Sequence, residues 1–169
     1  MFFIDSFFQD KPAQPEAPAR PVPAAESSVG YDPQLVAQLK SDHQQLKEIF
    51  SDIGVAGKAG DLALVQELLG DFRSALANHL RKEIGLFRYL EGCLADEEAN
   101  LEVMHGFRRE MDKMGPVAVG MLAKYEGIAA RPRLSLSLAG DLALVGSALA
   151  GRIQREEDVL YALYVPPQG

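Results

Sequence analysis

The chain has 169 residues, 47% of them hydrophobic, a formal charge of -7 and a pI near 5.0. Such a length and apolar content suit one domain with a real core. The acidity argues against nucleic acid as a partner, because phosphates demand clustered Lys and Arg, and here only Arg108-Arg109 and Arg131 to Arg133 cluster at all. The single cysteine, Cys93, excludes an intramolecular disulfide and fits a reducing, cytoplasmic setting. Late in an apolar-rich helical pattern, it reads as inert packing.

No run approaches the ~20 apolar residues that span a bilayer, so no membrane partner is expected. The hydrophobic start, residues 1–8, carries Asp5 and no early Lys or Arg, which is the wrong sign for a secretory signal. Residues 9–30 hold five of the ten prolines, interleaved with Ala, Glu and Ser. That composition stiffens a chain without giving it a core, so residues 1–31 read as a disordered tether with a Phe-rich tip. The tip either docks on a protein partner or folds back onto the domain that follows, over 32–165.

Order begins at Asp32-Pro33, an N-cap followed by proline at the first helical position. Val36, Leu39, Leu46, Phe50 and Ile53 then recur at helical spacing, predicting a first helix over about 33–55, ended by Gly54 and the glycines at 57 and 60. Asp61 caps a second helix, whose stripe of Leu62, Val65, Leu69, Phe72, Leu76, Leu86 and Leu90 runs to about Leu94. Asp96 caps the third, with Met104, Phe107, Met111, Met114, Ala118, Met121 and Tyr125 inward. Gly115-Pro116 should kink or split it. Pro132 closes the connection to a fourth helix carrying Leu138, Leu142, Val145, Leu149, Val159, Leu160 and Leu163 inward, which stops before Pro166-Pro167. Nothing alternates with a period of two. The expected fold is all-α: an antiparallel up-down four-helix bundle.

A repeat sits inside the pattern. Ser74-Ala75-Leu76-Ala77, then His79, Glu83 and Leu90, matches Ser147-Ala148-Leu149-Ala150, then Arg152, Glu156 and Leu163. AGDLALV also occurs twice, at 59–65 and 139–145, offset by seven residues, about two turns, which preserves the face.

The inward polar residues carry the chemistry. His79 and Glu83 stand four apart on one helix face, and that face is the apolar one. His43 shares the stripe of Leu39, Leu46 and Phe50. Glu156 lies on the inward stripe of the fourth helix, whereas Glu157 and Asp158 read as solvated. Buried Glu is rare unless paired or coordinated. His43, His79, Glu83 and Glu156 meeting at one level would offer nitrogen and carboxylate donors suited to iron, manganese or zinc. No nucleophilic arrangement or phosphate loop is present, so no enzyme signature emerges.

The run Ser41-Asp42-His43-Gln44-Gln45-Leu46, then Asn78-His79-Leu80-Arg81-Lys82-Glu83-Ile84-Gly85-Leu86-Phe87, resembles the first half of a hemerythrin-like domain of the HHE cation-binding family. Gly151-Arg152-Ile153-Gln154-Arg155-Glu156-Glu157-Asp158-Val159-Leu160-Tyr161 resembles that family's closing helix. The likeness covers about 33–164. It implies an up-down bundle holding two non-haem irons, with O2, nitric oxide or iron handling as the usual roles. Two positions depart from the pattern. Arg152, a permanent cation, stands where the last helix should offer histidine. Met104 stands at the matching position of the third helix, and its neighbour His105 is rotated about 100° off the stripe. Both read as plugging or supporting positions. The expectation is therefore at most one metal ion, with iron the favoured one. The alternative is a metal-free regulatory or protein-interaction bundle in which Arg152 pairs with Glu83 or Glu156.

Overall fold

The computed structural model describes residues 30–95 and 97–167. The expected tether with its Phe-rich tip and the Asp96 cap lie outside the described residues, apart from Gly30 and Tyr31. Four long helices form, and no strand is present among the described residues: α1 (Leu35–Ala59), α2 (Leu62–Cys93), α3 (Glu98–Tyr125) and α4 (Ser135–Arg155).

α1 starts at Leu35 with Gln34 as its N-cap, two residues later than expected, and Asp32 instead shapes the turn before it, its Oδ1 accepting from the Gln34 N–H at 2.8 Å. The helix then runs past the expected end near 55 to Ala59. Gly54 and Gly57 do not break it, because Ile53 and Ala56 bury the inward face of that last stretch. At Gly57 a side chain would meet Leu138 of α4 at 3.0 Å, so the small residue permits close approach rather than a turn. Gly60, left-handed at φ +75, is the real stop, its N–H bonding the carbonyls of Ala56 and Gly57.

Asp61 caps α2 as expected, accepting from the Leu64 N–H at 3.0 Å. This helix is buried along most of its inward length and packs chiefly on α1. α3 is continuous through Gly115-Pro116, so the expected split does not occur. Pro116 forfeits one bond to the Asp112 carbonyl, but both residues are exposed and water can satisfy that oxygen. Two short 3-10 turns, Ile128–Ala130 and Pro132–Leu134, lead into α4.

Past Arg155 the helix widens into a π-helical turn, Glu156–Leu160, and then tightens into a 3-10 turn, Tyr161–Leu163. The π turn shifts the face that looks inward. Val159, expected inside, is 43% exposed, while Tyr161 and Tyr164 are buried instead. Tyr164 stacks on Tyr31 and meets Tyr89 edge-on, with centroids at 5.0 and 4.7 Å, and its hydroxyl accepts from the Asp32 N–H at 2.8 Å. Tyr31, one residue before the expected boundary, is therefore part of the packed unit. Cys93, expected inside, is exposed at the last position of α2.

Each helix packs on its neighbour in the chain and α4 closes onto α1, which is the up-down bundle. The expectation about membranes needs one correction. The stretch Pro132–Leu163 is long and apolar enough by composition to cross one, with an 18-residue window of mean hydropathy 1.5. Its Ala, Leu and Gly content produces that value, and charges gather at its ends. In the bundle its C-terminal part delivers Arg152 and Glu156 to the interior.

Candidate metal centre

Apolar neighbours carry the polar residues inward. Leu39 and Leu46 flank His43 on α1, and all three are essentially inaccessible. On α2, Leu76, Leu80, Leu86 and Leu90 bury the face that holds His79 and Glu83. On the closing helix, Ile153 and Leu160 do the same for Arg152 and Glu156. Two i,i+4 pairs thus face each other, His79 with Glu83 and Arg152 with Glu156, as the internal repeat implied.

The structure groups three of the expected donors, His43, His79 and Glu156, and places Glu83 beside His79. His43 Nε2 lies 3.1 Å from Glu156 Oε2, and the His43 and His79 rings are 4.7 Å apart. His79 Nε2 is 3.8 Å from Glu83 Oε2. Donor atoms of His43, His79 and Glu156 all fall within 4.8 Å of one another, the only such buried group among the described residues.

Arg152 sits inside this cluster. Its guanidinium donates to Glu83 Oε1 and, at 3.0 Å, to the Phe107 carbonyl, while Nε lies 2.5 Å from Glu156 Oε1. That last contact is an ion pair without hydrogen-bond geometry, since Glu156 Oε1 has no hydrogen-bond partner. Met104 is fully buried but does not line the cavity beside the cluster, whose α3 wall begins at Met111. α3 gives Arg152 the Phe107 carbonyl. His105 is half-buried and outside the cluster, in keeping with its place off the stripe.

Three participants escaped the sequence reading. Glu157, expected in solvent, bonds His43 Nδ1 at 2.8 Å and is 29% exposed. Tyr161 stacks parallel to His43, with its hydroxyl 3.3 Å from Nε2. The π turn brings both in, and no periodicity could announce them. Asp42 approaches His79 Nδ1 at 3.7 Å and takes both oxygens to Lys82 Nζ at 2.8 Å. Its position immediately before His43 was the available signal, because one helical step moves it from the core face onto the seam with α2.

Charge follows geometry. Burial pushes the Glu83 carboxyl up to about 7, and the nearby Glu156 carboxylate adds to that, against Arg152 and His79. For Glu156 burial pulls the same way but loses to the His43 hydrogen bond and the Arg152 charge, so its pKa falls below the ordinary value. Burial would lower His43, yet Glu156 and Glu157 outweigh it and hold the imidazole above its usual range. Burial also favours the neutral acid at Asp42, where His79 and Lys82 prevail and lower it.

Two imidazoles and a carboxylate within reach of one another, with Glu83 Oε2 buried beside His79 Nε2 and lacking a hydrogen-bond partner, fit one cation. They do not fit two. The guanidinium of Arg152 fills the space beside Glu83 and Glu156 where a second would lie, and its fixed charge would repel the pair. A four-helix bundle with an inward His/His/Glu cation cluster defines the class of protein. The Hemerythrin HHE cation binding domain matches residues 34–164, and the chain belongs to that family. No curated protein and no solved structure matches the chain.

Proposed function

We propose that this hemerythrin-like module binds a single iron ion and handles or senses O2, nitric oxide or iron itself. His43, His79 and Glu156 are the ligands, and Glu83 is a second carboxylate in reach. Three buried donors within 4.8 Å of each other, with Glu83 Oε2 buried beside them and without a hydrogen-bond partner, carry this reading. Iron would supply a centre that accepts a small diatomic molecule. The residues around it do the rest. Glu157 holds the Nδ1 side of His43, so that Nε2 is the nitrogen that faces the cluster. Asp42 stands at the corresponding Nδ1 of His79. Apolar side chains line most of the cavity beside the cluster. The reducing, cytoplasmic setting expected from a lone cysteine suits retention of iron(II). Protein purified anaerobically from iron-rich medium should contain up to one iron per chain, and His79→Ala should lose it. Two irons, or none together with an unchanged melting temperature on metal addition, would overturn the assignment.

Arg152 favours a second reading. A buried guanidinium held by Glu83, Glu156 and the Phe107 carbonyl already neutralises the interior. A bundle satisfied in this way could serve as a regulatory or protein-interaction domain, with the Phe-rich segment docking a partner. Chelators would then leave stability untouched. Deleting residues 1–30, or changing Phe7 and Phe8, should abolish capture of that partner.

A further inference from the structure

The cation cluster forms one end of a cavity of about 300 Å³ whose other walls are almost wholly apolar. Leu46, Phe72, Leu76, Leu80 and Met111 line its inner part. It opens to solvent between α3 and α4, where Val117 and Leu144 are 51% and 69% exposed. A diatomic gas needs a small fraction of such a volume. A cavity of roughly 150 Å³ already accepts benzene, so twice that volume takes an aliphatic chain of about ten carbons. The mouth carries one charge of use to a ligand. Lys113 is exposed on the α3 rim and has no ion-pair partner among the described residues.

We infer that this slot binds a medium-chain fatty carboxylate, tail inward along the apolar walls and carboxylate outward on Lys113. The head stays at the mouth for a physical reason: Arg152, the cation at the inner end, is already committed to Glu83, Glu156 and the Phe107 carbonyl, and a carboxylate drawn in would lose its water, whereas at exposed Lys113 it keeps it. Met111 and the half-buried Met114 are unbranched and adaptable, so the wall can follow a flexible chain. An alkyl chain in place would also lie between solvent and the cation cluster. This site rests on the cavity and on Lys113, not on the proposed iron.

Isothermal titration of delipidated full-length protein with hexanoate, octanoate and decanoate, each below its micelle concentration, tests the inference. Expected is saturable one-to-one binding that tightens about fourfold per added methylene. Lys113→Glu should weaken decanoate at least about threefold while leaving 1-decanol unaffected. Ala148→Trp, at the exposed rim of α4, should weaken both. Both variants alter exposed positions, and circular dichroism checks their fold. Non-saturating uptake, affinity independent of chain length, or decanoate binding indifferent to Lys113→Glu would overturn the proposal. Equal or tighter binding of decyltrimethylammonium would mean that a cationic head enters toward the carboxylates, and would overturn it too.

Discussion

At the scale of single residues, Arg152 decides what the interior can hold. It gives a fixed positive charge to two buried carboxylates that would otherwise repel one another. In chelator-treated protein, Arg152→Ala should cost about 3–5 kcal/mol by denaturant unfolding, the cost of stranding a buried charge. Added iron should recover part of it. Glu83 gives the site its pH dependence. Its folded pKa of about 7 exceeds its ordinary 4.5, so between those values the folded state holds a proton that the unfolded state lacks. Stability must therefore fall as pH rises through that window. His43, raised above 6.5, acts in the same direction: its contribution is full below 6.5 and is lost as pH climbs through the raised value. Glu156 and Asp42, both depressed, contribute above their ordinary values of 4.5 and 3.8 and lose that contribution as pH drops. The melting temperature of the chelated protein should thus peak on the mildly acidic side and decline toward pH 8, and Glu83→Gln should flatten that decline. A maximum at pH 8 would contradict the assignment of charge.

At the scale of elements, α3 and the end of α4 depart most from regular helix. Pro116 lies exposed inside α3, so Pro116→Ala restores one backbone bond without disturbing the core. It should stabilise the chain by roughly 1–3 kcal/mol. A loss of stability would show that the proline is needed for the packing of Met111 and Met114. The π turn at Glu156–Leu160 explains where the sequence was legible and where it was not. His43, His79, Glu83 and Glu156 could be placed because each shares a regular stripe with leucines, and those helices keep their period up to Glu156. From there one extra residue per turn moves Tyr161 in and Val159 out, and leaves Glu157 on His43. Such a turn carries no compositional mark. Cys93 went astray for a simpler reason: the buried face passes from Leu90 to Leu94 and leaves Cys93 beside it on the exposed side.

For the whole molecule, the family, the bundle and the convergence of three helices on one buried cluster agree on cation binding. In the proposed reading Arg152 limits the site to one ion, and the apolar slot is its opening to solvent. X-ray absorption on the anaerobically iron-loaded full chain tests this most directly. The account predicts one iron per chain in a nitrogen and oxygen shell, with no metal neighbour at the ~3.5–4 Å typical of paired sites. It also predicts loss of that iron in His79→Ala with the helical signal unchanged. A metal–metal vector at that distance, or iron that stays bound when His79 is removed, would contradict it.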